Sequence, residues 1–346
     1  MKRQALAFAR SQNLTLAVII VLGVVLLGVT SGGGFFSPVS VRTFFQFLAV
    51  PILIGLAQMI TVAVGQLNLA IGSIGGFAAC LAGVMMADLG VPAVLGVVVT
   101  LVVGAVAGFI NGWLVVATRI NGFIVTLATM TILSGAQYAI VSTRTISSTN
   151  WAPIADLGKA TVGGIPVVFI LAIVVAVLVS LAFNHTVGGR RLLASGDNSH
   201  AAALSGISND RSVIIAHAAS GLLCGVAAFI SLASLSGVNT SVGGDWLLPS
   251  FAAPIIGGVA LTGGTVAILG TTLAATVVRL VDSARAEFQL APAWVNFVIG
   301  AVVLGTVALG RAREVRDSRR AGAARAKAPQ TTGPTSPGQA PTGAAS

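Results

Sequence analysis

The chain has 346 residues and a formal net charge of +10, yet only 8% of its residues are charged, while 55% are apolar and 42 are glycine. A soluble domain usually contains about 25% charged residues, so this composition excludes a soluble enzyme and a disordered protein. Two cysteines also exclude a small secreted module held by several disulfides. Because a membrane-spanning helix needs about 20 mostly apolar residues, the composition predicts an all-α polytopic membrane protein.

Ten apolar runs follow one another along the chain and predict about ten transmembrane helices. The third, eighth and ninth runs are shorter than a full span and contain Gly or Pro, so we expect these helices to be short, tilted or broken. Eight or twelve crossings fit the same pattern. The runs lie near residues 14–30, 44–64, 74–86, 92–117, 123–141, 166–183, 213–235, 249–261, 265–281 and 294–310.

The distribution of Lys and Arg indicates which side of the membrane each loop faces. If the N-terminus is cytoplasmic and every run crosses, fourteen basic residues lie on the cytoplasmic side and five on the other. Because short cytoplasmic loops are enriched in Lys and Arg, this count predicts that both termini are cytoplasmic. The basic segment Met1–Arg10 precedes the first run, but no A-x-A cleavage site follows it, so we expect an uncleaved first span.

The two ends of the chain differ from its apolar centre. We predict a cytoplasmic N-terminus over residues 1–13, a transmembrane domain over 14–310, and a disordered cytoplasmic tail over 311–346 that is first basic and then rich in Pro, Gly and Ala. Seven basic and two acidic residues in the tail supply half of the net charge, next to an anionic leaflet. Because no patch of basic and aromatic residues accompanies them, we expect membrane lipid, and no nucleic acid, as a partner.

Two glycine-rich stretches with polar residues, 65–73 and 257–265, interrupt the apolar runs. Unwound backbone at membrane depth must be buried by protein or line a wet path, so the first stretch is either part of a translocation path or a structural turn. Between them a double G-x-x-x-G pattern predicts close packing of two helices. Its glycines are Gly104, Gly108 and Gly112.

Several polar residues fall inside the apolar runs. A buried Asn or Gln must find hydrogen-bond partners, so each of these residues either joins two helices or lines a path. Arg279 is the one basic residue well inside a run, and with Asp282 three residues further on we expect an interfacial ion pair. The uncharged candidates are Gln58, Thr61, Asn111, Asn121, Thr126, Thr129 and Gln137.

The longest cytoplasmic loop, residues 184–212, predicts a short helix on the cytoplasmic face. Asp197, Asn198 or Ser199 caps its start, small alanines continue it, and a glycine ends it. A short helix of small residues suits a groove on a partner protein, and an ordinary capped loop helix is the alternative interpretation.

The sequence contains no motif for nucleotide hydrolysis or catalysis. A G-x-x-x-x-G-K-[ST] phosphate loop is missing, and so are the H-E-x-x-H and G-x-S-x-G patterns. The acidic residues lie in loops or at the ends of runs, whereas an ion-coupled carrier often has an ionisable residue near the middle of the membrane. A transporter with this sequence is therefore expected to take its energy from a separate protein.

From about residue 14 to 312, the chain resembles the permease subunits of ribose-type ABC sugar importers in four blocks. It departs from the family pattern at Gln66, Asn68, Ala70, Gly122 and Val266. The blocks are residues 65–73 (G-G-I-D-L-S-V-G-S in the family), 111–127 (N-G, then P-F-I-V-T-L), 189–207 (G-R-x-L-x-A-x-G-x-N-x-x-A-A-x-x-S-G-I) and 252–266 (A-A-x-x-I-G-G-x-x-L-x-G-G-x-G).

The resemblance implies a multi-pass permease of the bacterial inner membrane that forms a dimer, with a homodimer as the main expectation. Its implied partners are two cytoplasmic ATP-binding subunits, which use the ATP, and an extracytoplasmic solute-binding protein; the permease itself binds no cofactor. The residues expected to lie along the translocation path are Gln58, Gln66, Asn68, Ser73, Asn111, Phe123 and Thr126. The residues of the implied coupling helix, which docks on the ATP-binding subunit, are Gly196, Asn198, Ala201, Ala202, Ser205 and Gly206.

Residues and resemblance together predict the membrane subunit of an ATP-driven importer for a small polar solute, with a monosaccharide as the first expectation. One alternative is the same machine for a branched-chain amino acid, urea or a sugar-derived signal. Another is a stand-alone channel or facilitator. ATP dependence separates the importers from the channel.

Overall fold

The computed structural model describes residues 2–291, 293–301 and 304–305, with side chains from Gln12 onward. The predicted tail over residues 311–346 lies outside the described residues. The described part is almost entirely helical, as predicted. Its only strands are the two-residue β1 (Thr161–Val162) and β2 (Ile165–Pro166), which form an antiparallel hairpin.

Seven of the described helices are long and apolar enough to cross a membrane, and they contain the first seven apolar runs. The helix that contains the third run has 18 residues, so it is longer than the run at 74–86 indicated. Single 3-10 turns occupy Gly34–Phe36 and Thr149–Trp151. The α-helices are α1 (Lys2–Thr30), α2 (Pro38–Ala63), α3 (Ile71–Asp88), α4 (Ala93–Thr118), α5 (Gly122–Val141), α6 (Ala152–Lys159), α7 (Val167–His185), α8 (Val187–Asp197), α9 (Ser199–Leu204), α10 (Asn209–Ser234), α11 (Leu247–Ile256) and α12 (Ile268–Glu287).

Helices α2, α3 and α10 form the centre of the protein. In their most apolar stretches 61–72% of the residues are buried, against 17–28% in α1, α4, α5 and α7. The outer helices therefore present apolar side chains such as Leu22, Val106 and Ile132 at the surface. In a membrane these faces are covered by lipid or by another transmembrane subunit, since water would not tolerate so large an apolar surface.

The eighth and ninth apolar runs form shorter or more polar helices than the first seven. The eighth run ends early, because α11 has ten residues and stops at Ile256 before the glycine-rich stretch 257–265. The ninth forms α12, which carries Arg279, Asp282, Arg285 and Glu287 in its second half. Of the tenth run, the described residues 294–301 and 304–305 are helical.

Two crossings are each interrupted by non-helical chain, and the two interruptions meet inside the bundle. Residues 64–70 join α2 to α3, and residues 235–246 join α10 to α11. Gly72, at the start of α3, lies so close to the carbonyl oxygen of Gly243 that a Cβ would overlap it, and Gly75 packs against the ring of Trp246. The first turns of α3 and α11 therefore lie side by side in the protein interior.

The predicted glycine stripe is confirmed as a packing surface between α4 and α10. Gly104 lies against the backbone of Gly221 and Gly225, and Gly108 against the carbonyl oxygen of His217 and the Cα of Gly221. With no Cβ on either side, the two helix backbones approach more closely than any larger residue would allow.

Loops that the charge count places on the same side of the membrane contact one another. Arg119 donates hydrogen bonds of 2.8 and 3.0 Å to the two carboxylate oxygens of Asp210, both on the predicted cytoplasmic side. On the other side, Arg144 lies 3.4 Å from a carboxylate oxygen of Asp88. Both contacts agree with the predicted order of crossings.

Candidate functional site

The first interruption is organised around Asn68, which is fully buried. Its Nδ2 donates to Ser220 Oγ on α10 at 3.1 Å, and its Oδ1 accepts from the backbone N–H of Ala70 at 3.0 Å. Thr126 of α5 accepts a hydrogen bond of 3.1 Å from the N–H of Leu69. These bonds satisfy two backbone N–H groups of the non-helical segment before α3, and they link that segment to α5 and α10.

The seven predicted path residues separate into two groups. Asn68, Ser73 and Thr126 come together at this interruption, where Ser73 donates to the carbonyl of Ala70 at 3.0 Å. Of the other four, Gln66 lies in the same interruption and three lie elsewhere, and the role of all four in a path stays a prediction. They are the buried Gln58, whose amide has no partner among the described residues, the half-buried Gln66 beside Gly122, the buried Asn111, which accepts from Thr129 at 2.6 Å, and Phe123, which is 44% exposed.

Replacing Asn68 by leucine is expected to destabilise the protein, whereas aspartate is expected to be tolerated. Leucine leaves the N–H of Ala70 and the hydroxyl of Ser220 unpaired, at about 1–3 kcal/mol for each buried group. An aspartate oxygen still accepts from Ala70, and Ser220 can donate to the other. Thermal unfolding of the purified variants checks this, and a leucine variant as stable as the natural protein would contradict it.

The predicted short helix of the cytoplasmic loop is present as α9. Asn198 caps it by accepting from the N–H of Ala201 at 2.9 Å, and Gly206, with φ of +76°, follows its end. Asn209 fixes α9 to α8, because its Nδ2 donates to the carbonyl of Ser199 at 2.7 Å and its Oδ1 accepts from Ser195 at 2.8 Å. The loop is therefore a braced unit and not a flexible connection.

The outer surface of α9 consists of small residues and one leucine. Ala202 points inward and is buried, whereas Ala201, Ser205 and Gly206 are exposed. Leu204 is 80% exposed, on a surface that faces water rather than lipid in the predicted topology. An exposed leucine among small residues is a suitable contact for a groove on another protein.

The end of α8 connects this loop to both glycine-rich stretches. Gly196 lies so close to the carbonyl oxygen of Ala63, the last residue of α2, that a Cβ would overlap it, and that Cβ would be 2.8 Å from the N of Gly264. Gly264 itself donates to the carbonyl of Ala63 at 2.9 Å. Gly263 packs against Gly65 at the start of the first interruption. The end of α8 thus contacts both stretches directly, and we call these five residues the glycine junction.

A cavity of about 390 Å³ lies between the first half of α2, the end of α10, the residues before α11 and the second half of α12. None of the seven predicted path residues lines it in the described part of the chain. The predicted ion pair of Arg279 and Asp282 is confirmed, and it lies on the wall of this cavity with the Arg279 side chain 15% exposed. Sequence reasoning missed Asp245 and Trp246, although an acidic residue and a tryptophan directly before a short apolar run with Pro249 were an available signal.

Comparisons with known proteins identify the family. The family model described as branched-chain amino acid transport system / permease component matches residues 40–307. The fructose import permease protein FrcC of Rhizobium meliloti is 29% identical over 83% of this chain and 82% of its own. The ribose import permease protein RbsC of Haemophilus influenzae is 29% identical over 80% of this chain and 85% of its own. The autoinducer 2 import system permease protein LsrD of Yersinia enterocolitica is 28% identical over 77% of this chain and 81% of its own. No solved structure matches the chain.

The family match covers more than half of the chain, and the relatives align over most of their own length. Membership makes the protein a transport component rather than an enzyme, and it implies ATP-binding and solute-binding partners. The seven apolar helices agree with a multi-pass protein of the inner membrane. The chain therefore belongs to the family of branched-chain amino acid transport system permease components, and it is the permease subunit of an ABC transporter.

Proposed function

We propose that the chain is the membrane subunit of an ATP-driven importer that translocates a monosaccharide delivered by an extracytoplasmic binding protein. The observation that carries this proposal is that relatives aligned over about four-fifths of the chain are named for the import of fructose and of ribose. A second candidate is a small signalling solute, because another relative is named for the import of autoinducer 2. The importer contains two copies of this permease and two ATP-binding subunits, which use the ATP.

In this proposal the ATP-binding subunit docks on α9. The exposed Leu204 and the small residues beside it supply the contact surface, and Asn198 and Asn209 keep that surface in place. When ATP binding moves the two ATP-binding subunits, α9 moves with them. The glycine junction then carries the movement to the interruption at 64–70 and to the glycine-rich stretch 257–265.

Replacing Leu204 by aspartate is expected to abolish association with the ATP-binding subunit while the permease still inserts and folds. The leucine is at the surface, so its loss costs the permease little, but an unpaired charge in a closely packed interface is unfavourable. Co-purification of the two subunits from detergent measures the effect. Leu89→Asp is the matched control, because Leu89 is 72% exposed at the opposite end of the bundle. Normal co-purification of the Leu204 variant would refute this docking surface.

The solute class is tested with the complete transporter in proteoliposomes, loaded with ATP and supplied with the binding protein. We expect uptake of labelled D-fructose or D-ribose, and no uptake of labelled L-leucine above the background of empty vesicles. Uptake of leucine without either sugar would overturn the monosaccharide assignment and favour an amino-acid importer.

A further inference from the structure

The cavity beside α12 lies at the end of the bundle where a solute-binding protein must deliver its cargo. It is lined by the first half of α2 (46–54), the last turn of α10 and the second half of α12 (278–285). In the predicted topology these are the extracytoplasmic ends of the three helices. Its volume of about 390 Å³ falls within the roughly 300–1,000 Å³ of typical small-molecule sites.

The two basic groups of the cavity share one carboxylate. Asp282 contacts the guanidinium of Arg279 and accepts from Arg285 Nε at 3.2 Å. The Arg279 guanidinium also lies 5.9 and 5.4 Å from the ring centres of Phe44 and Phe47, within the range of a cation–π contact. Arg279 is thus held by a carboxylate and by two aromatic rings at once, whereas Arg285 makes a single contact to Asp282 and keeps donors for a ligand.

A second carboxylate in the cavity has no cationic partner. Among the described residues, no Lys or Arg lies within salt-bridge distance of Asp245. With Asp282, Arg279 and Arg285 it brings the formal charge of the four groups to zero, two acidic and two basic. A carboxylate only accepts hydrogen bonds, so a ligand that matches Asp245 must donate them.

The floor and one wall supply an aromatic surface and unpaired polar atoms. The ring of Trp246 packs against Gly75 where α3 and α11 begin. Arg279 Nε and Ser234 Oγ are buried without a hydrogen-bond partner among the described residues, and both residues line the cavity. An aromatic residue, two carboxylates and two guanidinium groups with no net charge suit a neutral ligand that carries several hydroxyl groups.

We propose that this cavity is the site where the permease first receives its solute, and that it binds a neutral polyhydroxylated molecule of monosaccharide size. The solute donates hydroxyl hydrogens to Asp245 and to the free side of Asp282, accepts from Arg285, and lies against Trp246. This assignment rests on the proposed function, and it adds the position of the site and the residues that select the solute. A free amino acid is disfavoured, because its carboxylate would have to compete with Asp282 for Arg279 and Arg285.

The test compares Asp245→Asn with the natural protein in the complete transporter, reconstituted with ATP-binding subunits and binding protein. The substitution keeps the shape of the side chain and removes its charge. At labelled D-fructose or D-ribose well below the concentration that half-saturates uptake, we expect the uptake rate to fall at least about tenfold, as for the loss of one charge-assisted hydrogen bond. ATP hydrolysis stimulated by the binding protein is expected to stay within about twofold, because α9 and the glycine junction are unchanged.

The matched control is Asp156→Asn, an exposed acidic residue of α6 that does not line the cavity, and its uptake should equal that of the natural protein. Sugar uptake by Asp245→Asn at the natural rate would overturn the cavity assignment and leave the proposed function intact. A parallel loss of uptake and of ATP hydrolysis would also overturn it, since that result marks a folding or assembly defect. Failure of the natural protein to import either sugar would refute the proposed function itself.

Discussion

Replacing Gly108 by leucine is expected to remove most of the folded protein from the membrane. A Cβ at this position would overlap the carbonyl oxygen of His217 and lie 2.9 Å from the Cα of Gly221. Both obstacles are backbone atoms of α10, which cannot move aside as a flexible side chain can. The loss of folding stability therefore exceeds the roughly 1–3 kcal/mol of an ordinary overpacked core, because the closely packed helices α4 and α10 must separate.

The measurement is the yield of monodisperse protein after detergent extraction and size-exclusion chromatography. Gly135→Leu is the control, since Gly135 lies on the surface of α5 and an added Cβ would meet no other atom within 4 Å. Equal yields of the two variants would show that α4 and α10 do not depend on their close approach.

Replacing Gly196 by alanine is expected to uncouple ATP hydrolysis from transport. The new methyl group would overlap the carbonyl of Ala63 and separate α8 from the end of α2 and from Gly264. The surface of α9 is not altered, so the ATP-binding subunit should still associate and hydrolyse ATP. Because the glycine junction is broken, solute uptake should fall to the background of empty vesicles.

Gly188→Ala provides the control within the same helix. Gly188 is exposed, its added Cβ would meet only Thr186 Oγ1 at an ordinary 3.6 Å, and alanine favours helix by about 1 kcal/mol. We expect natural uptake and hydrolysis from this variant. If Gly196→Ala also transported solute at the natural rate, α8 would not be the mechanical link between the cytoplasmic loop and the interrupted crossings.

Features that depend on local pattern were predicted correctly from the sequence. Asn198 caps α9 because a short polar side chain reaches the N–H groups two and three residues ahead in any chain with that local order. The repeat of Gly104, Gly108 and Gly112 likewise places three glycines on one helix face, and that pattern alone predicts close packing against another helix. The first seven apolar runs located their helices for the same reason, although the third underestimated the length of α3.

Features that depend on distant segments were missed. Gly196, Ala63 and Gly264 lie far apart in the sequence and come into contact only in the folded protein. No spacing in the sequence therefore predicts the glycine junction. Asp245 and Trp246 lie in what reads as a loop, and only the folded chain turns that loop inward to line a cavity with α12. Arg279 was predicted with its partner Asp282, but its place on a cavity wall comes from α2 and α10.

This chain is expected to move solute only when ATP-binding partners drive it. The most direct test measures uptake of labelled D-fructose and D-ribose in proteoliposomes that contain either the permease alone or the complete transporter with its binding protein. We predict no uptake by the permease alone, and uptake by the complete transporter that requires ATP inside the vesicles on the side of α9. Uptake by the isolated permease, with or without ATP, would contradict the account and identify a stand-alone channel or facilitator.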